Sequence, residues 1–207
     1  SIGSSSGWKP IGSTSAAPYD VIADYFRGAT GMMKDMYRHK DRLHELLDKA
    51  TRFLLAQTIA SAKAAGHPIV FIPIHWAPDA FMSEKQFREF WWPSFRQMMI
   101  GMIDAGLIPM PLWESDCTKR LEIIADVPKG KCIYWFERTD MVRAYEVLGD
   151  TVALRGNLSP SMMTTGTPAD VGERLVCVES ANAPLGRCGA GVRGVREVVR
   201  EHGRQPG

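Results

Sequence analysis

Apolar residues recur along this chain in two alternating rhythms. Over residues 20–27 and again over 41–65 they return at helical spacing, the second run placing Leu43, Leu46, Leu47, Ala50 and Leu54 on one face and stopping at Gly66. Residues 68–74 (PIVFIPI) are instead a continuous apolar run rich in β-branched side chains, the signature of a strand buried on both faces. Ser83 and Gln86 have capping-box spacing at the head of a helix that runs to Ala105. Its stripe of Phe87, Trp91, Phe95, Met98 and Met102 faces the core, and Pro93 predicts a kink. A strand over 107–113, a helix over 118–125 and a strand over 131–136 follow. Asp140 as N-cap and Gly149 as C-cap bracket a short helix, 151–154 is a fourth strand, and Thr167-Pro168 opens another helix.

Strand and helix therefore alternate, which predicts a parallel sheet with helices packed on it. A complete (β/α)8 barrel takes about 250 residues. The fold class that follows for 207 residues is α/β, a partial parallel (β/α)8 TIM-type barrel. Residues 1–18, rich in Ser and Gly without an apolar period, read as a flexible lead, and 19–175 as the barrel domain. Residues 176–207 read as a divergent tail: LVCVESANAPLGRCGAGVRG has no strand period, while VREVVREHG gives a final helix over 195–203. A partial barrel bares a strand edge, so a homo-oligomer is expected.

Composition narrows the partners. With 45% hydrophobic and 23% charged residues the chain can bury a core, and a formal net charge of +2 without a basic block gives no electrostatic case for nucleic acid. A small organic molecule is the expected partner. No apolar run approaches the ~20 residues of a membrane span, and no charged start leads into an apolar signal core, so a cytoplasmic setting is expected. Cys117, Cys132, Cys177 and Cys188 form no CxxC pair and read as reduced thiols.

In parallel barrels the residues just after each strand converge on the active site. That rule selects His75, Trp76 and Asp79, then Glu114, Asp116 and Cys117, then Glu137, Arg138 and Asp140, and finally Arg155 and Asn157. His75 suits a general base or a metal ligand, or else a hydrogen bond to a loop carbonyl. Trp76 either lines a pocket or packs. Glu114 and Asp116, one residue apart, suit a pair that holds a metal or shares a proton, the alternative being that Asp116 caps the next helix while Glu114 is solvated. Cys117 reads as an apolar filler rather than a nucleophile. Arg138 and Arg155 suit bidentate binding of a substrate carboxylate or phosphate, or ion pairs with Glu137 or Asp140. Asn157 either touches ligand or closes its own turn. Met98, Met99, Met102, Met162 and Met163 read as core.

The run LGD…GNLSP…GTPADV resembles a segment of the uroporphyrinogen decarboxylase superfamily, with its Gly-Asn-x-(Asp/Ser)-Pro turn and GTPEEV-like helix start. APYDVIADYFRGATGMMKDMYRHKDRL and SEKQFREFWWPSFRQMMIGMIDAGLIPMPLWESDCTKRL resemble earlier segments of that superfamily, in order. The resemblance implies a parent enzyme that removes acetate carboxyl groups from a tetrapyrrole in porphyrin biosynthesis. That chemistry needs no cofactor; arginines anchor carboxylates and an acidic residue stabilises the protonated pyrrole, most of them in an N-terminal part of the family domain that this chain lacks. It equally implies the methyltransferase branch, with zinc on a His-x-Cys pair and a corrinoid partner. Here Leu112 and Glu114 stand at those two positions, leaving His75 and Glu114 as metal ligands. A third reading is an incomplete, inactive binding module.

Overall fold

In the computed structural model, which describes residues 12–157, 164–165 and 176–178, one six-stranded sheet carries every strand. Strands β1 (Ser13–Thr14), β2 (Ile69–Ile74), β3 (Ile108–Trp113), β4 (Ile133–Phe136), β5 (Ala153–Gly156) and β6 (Val176–Val178) lie side by side in chain order. All pairs from β1 to β5 are parallel and β6 joins β5 antiparallel. The fold is part of a parallel (β/α)8 barrel.

Helix α1 (Pro18–Ile22) follows β1 and widens into a π-helical turn, Ala23–Arg27, before α2 (Gly28–Arg38) and the long α3 (Lys40–Ala65). A capped turn, α4 (Glu84–Gln86), passes through a second π-helical turn, Phe87–Trp91, into α5 (Trp92–Asp104). A 3-10 turn, Thr118–Arg120, leads into α6 (Leu121–Ile124), and α7 (Met141–Leu148) precedes β5.

Strand periodicity sorts the sheet into two faces. Val70, Ile72 and Ile74 of β2 are buried under the helices, while Ile69, Phe71 and Pro73 point the other way and are half-buried. On the helix side Trp113 packs against Trp91, Trp92 and Phe95, and against Tyr134 and Phe136 of the next strand. On the opposite face, which a full barrel encloses, the rings of Phe71 and Trp135 lie 6.0 Å apart and the Arg155 guanidinium sits 4.1 Å over Trp135.

The expected capping box at Ser83 forms in both directions: Ser83 Oγ accepts from Gln86 N at 3.2 Å and Ser83 N donates to Gln86 Oε1 at 3.0 Å. The stripe Phe87, Trp91, Phe95, Met98 and Met102 is fully buried, and the π-helical turn falls immediately before Pro93, where a missing N–H and a ring clash interrupt α-helical bonding. Asp140 caps α7 by accepting from Val142 N and Arg143 N at 2.9 and 3.1 Å. Asp140→Ala is expected to lower stability by about 1 kcal/mol, read as a shift in the urea midpoint with unchanged slope.

Several expectations are corrected. Ser13–Thr14 pairs with β2 rather than lying in a flexible lead, because Gly12 N and Ser15 N donate to Ile69 O and Phe71 O at 3.0 and 2.9 Å. The strand expected over 151–154 runs from Ala153 to Gly156, since Thr151 N and Val152 N still bond back to Leu148 O. Gly149 is the C-cap of α7 as expected, with φ −58°, and a glycine fits there because an added Cβ would lie 2.6 Å from Tyr145 O. Leu46 is 39% exposed although it fits the apolar stripe. Within the tail, Val176–Val178 is a strand, paired antiparallel with β5. Met162, Met163, the helix expected at Thr167-Pro168 and the helix over 195–203 lie outside the described residues.

Candidate active site

The carboxyl ends of β1, β2 and β3 bring four polar groups together, and the helix after β1 supplies two of them. Asp20 lies on α1, one turn from Asp24 in the π-helical turn, so both face the end of β2. Asp20 is 1% exposed and accepts three N–H groups: His75 N at 2.7 Å, Trp76 N at 3.4 Å and Trp91 Nε1 at 2.7 Å. Burial pushes its carboxyl up to about 6, with these hydrogen bonds opposing the rise.

Asp24 accepts from Trp76 Nε1 at 2.7 Å and lies 3.2 Å from His75 Nδ1. The other ring nitrogen, His75 Nε2, lies 3.5 Å from Glu114 Oε1 at the end of β3. One imidazole thus bridges two carboxylates. Burial is the first cause that raises the Glu114 carboxyl above the usual range, and the charges of Glu137 and Asp24 add to it while His75 opposes. His75 hydrogen-bonds Asp24 through Nδ1 and has the Glu114 carboxyl within ion-pair reach of Nε2. The array can hold a proton and pass it on.

The loop after β3 is braced from β4. Ser115 has φ 58°, in the left-handed region that a non-glycine residue enters at a cost, and its N–H donates to Glu137 Oε2 at 2.6 Å. Asp116 is not the cap of the next helix, whose N-cap is Cys117; its Oδ1 accepts from Thr118 N at 2.9 Å and Thr118 Oγ1 at 2.6 Å. Asp79 secures the same loop through Lys119 N at 2.9 Å and the buried Arg120 at 3.4 Å. Cys117 is buried, donates weakly to Glu114 O at 3.7 Å, and burial pushes its thiol up, so it is no thiolate nucleophile.

On the other strands the candidates separate. Arg138 is exposed and lies 4.0 Å from Glu137. Asn157 ties the end of β5 to the loop after β4, its Nδ2 donating to Thr139 O at 2.7 Å, 18 residues away. Gly156 before it has φ 137°, and any Cβ there would collide with Phe136 O. Arg155 stands apart from the His75 array, stacked on Trp135 on the enclosed face, where burial lowers its affinity for its proton and no carboxylate among the described residues pairs with it. Trp76 packs on Phe81 at 5.2 Å while its indole N–H serves Asp24.

Asp20 and Asp24 escaped sequence reading because the two-residue β1 is too short to show a period, which hid that α1 begins at a strand end. A usable signal was present in Asp20, a carboxylate set among Tyr19, Val21 and Ile22 in an apolar stripe.

A family model for uroporphyrinogen decarboxylase (URO-D) matches residues 5–183. The chain belongs to the uroporphyrinogen decarboxylase family. It is similar to the uroporphyrinogen decarboxylase of Chlorobium limicola, 31% identical over 141 residues, covering 67% of this chain and 38% of that protein. The enzyme of Aeromonas salmonicida is 26% identical over 194 residues, covering 90% of this chain and 52% of that protein. The chain thus spans about two-fifths to half the length of these family relatives. Among solved structures, a methyltransferase from Methanosarcina mazei superposes with a TM-score of 0.63 at 19% identity, covering 77% of this chain and 46% of that one, a likeness of fold. In this family frame Leu112 offers no donor at the His position of the zinc pair, and the described residues contain no group of three or more His, Cys, Asp or Glu placed to hold a metal. Among the described residues no helix is long and apolar enough to cross a membrane.

Proposed function

We propose that the parent protein is a cofactor-free decarboxylase of this family, acting on a tetrapyrrole that bears acetate groups, and that His75 is its proton-handling group on this half of the barrel. The reading rests on one observation: His75 lies between Asp24 and Glu114 at the strand ends. Each decarboxylation breaks one C–C bond, releases CO2 and consumes one proton, leaving a methyl group where a carboxymethyl group stood. His75 holds that proton and Glu114, with its raised carboxyl, resupplies it. Arg155, desolvated on Trp135 and facing the barrel interior, anchors a second carboxylate of the same substrate. A cytoplasmic setting and a small-molecule substrate go with this reading.

The test is the full-length parent, purified without chelator and supplied with uroporphyrinogen. Release of CO2 with stepwise loss of carboxylates by mass spectrometry is expected, and metal analysis is expected to find no stoichiometric zinc. Methyl transfer from a corrinoid protein with bound zinc, and no CO2, would replace this reading by the methyltransferase one.

A further inference from the structure

Three N–H donors from two elements converge on the Asp20 carboxylate, two from the backbone at the end of β2 and one from the Trp91 indole. A carboxylate is an acceptor-only side chain; an amide in its place turns an NH2 toward one of these donors. Its burial is costly, and among the described residues no Lys or Arg forms an ion pair with it. The neighbouring Tyr19, Ile22 and Ala23 fill the same core without a charge, so space-filling alone does not call for an acid here. What the acid adds is a fixed backbone at His75 and Trp76, the two residues whose side chains meet Asp24.

We propose that Asp20 is the positioning residue of the His75 array: its carboxylate locks the end of β2 so that the imidazole faces Asp24 and Glu114. Asp20 touches neither substrate nor the reacting atoms. The inference rests on the proton-handling role of His75 proposed above. The titratable groups facing Asp20 are Tyr19 on its own helix and His75 from β2, which Asp24 holds from the π-helical turn, while the segment leading into α5 presents only the Trp91 indole. Because burial pushes the Asp20 carboxyl up to about 6, the lock is set at neutral pH, and a protonated Asp20, which loses acceptor capacity, releases it in mild acid.

The experiment is a pH titration of the 207-residue chain by two-dimensional NMR, following the backbone N–H of His75 and Trp76 and the indole N–H of Trp91. In wild type all three are expected to move with one shared midpoint near 6. In Asp20→Asn that step is absent, and hydrogen exchange at His75 and Trp76 is roughly tenfold faster or more. Trp91→Phe removes one donor from the charged form and is expected to raise the midpoint. In the parent enzyme Asp20→Asn lowers kcat with little change in KM. Three resonances without a common midpoint overturn the proposal, a result that wild type alone supplies even where Asp20→Asn fails to fold. So does an Asp20→Asn parent with full kcat alongside an inactive His75→Ala. If His75→Ala retains full kcat while Asp20→Asn still abolishes the shared step, the lock stands as a structural device, the functional reading fails and the positioning role fails with it.

Discussion

His75→Ala is expected to lower kcat of the parent enzyme by about 10²- to 10⁴-fold, the usual contribution of a positioned acid–base group. The side chain is half-exposed at a strand end, so its removal leaves no core cavity, and circular dichroism should stay unchanged. The two flanking carboxylates give the variant a control. Glu114 retains its proton to higher pH than an ordinary glutamate, with burial as the main cause. Its protonated form resupplies His75, so activity should fall as pH rises through that elevated value. Glu114→Gln is expected to remove this alkaline limb from the kcat/KM profile, whereas Asp24→Asn, which leaves Glu114 in place, should lower kcat and retain the limb. Wild-type turnover in His75→Ala would remove His75 from the mechanism, and an unchanged profile in Glu114→Gln would remove Glu114 as its source of protons.

Trp113→Ala is expected to cost about 3–5 kcal/mol, enough to lower Tm by roughly 10 °C in a domain of this size. Trp113 is fully buried at the end of β3 and joins the α5 aromatics Trp92 and Phe95 to Tyr134 and Phe136 of β4, so its loss opens a cavity where helix layer and sheet meet. Trp113→Phe should cost much less. Among the described residues the buried indole Nε1 has no hydrogen-bond partner, and phenylalanine removes that donor together with part of the ring. Urea denaturation separates the outcomes; equal losses in the two variants would refute the packing account.

The sequence made the βα alternation legible because each strand is a short apolar run and each long helix carries a period of its own. The capping box at Ser83, the cap at Asp140 and the buried stripe ending at Met102 all depend on neighbours within one turn or a few, which is why spacing alone located them. What failed depends on partners far along the chain. Ser13–Thr14 is a strand only because β2 offers it an edge, and Val176–Val178 only because β5 does. The site shows the same division. The strand-end rule placed His75 and Glu114 side by side, but Asp24 approaches His75 from 51 residues away, and no local pattern encodes that meeting. Asp116 bonds two residues ahead to Thr118, a local pattern that spacing can suggest, whereas Asn157 bonds Thr139 O 18 residues away, which no local pattern encodes.

Strand order in this sheet equals chain order from β1 to β6. Every ladder therefore joins strands that follow one another in the chain, so each new strand pairs with the one made before it, the longest wait being that of β1 for β2. During synthesis, α3 and β2 can dock on α1 and β1 as soon as they emerge, and each later βα pair adds to a template already in place. The assembly behaves like a short solenoid bent into an arc, with stability built from each unit and its contacts with the two beside it. Damage to one unit should accordingly loosen its immediate neighbours first and leave the far end of the arc protected against hydrogen exchange.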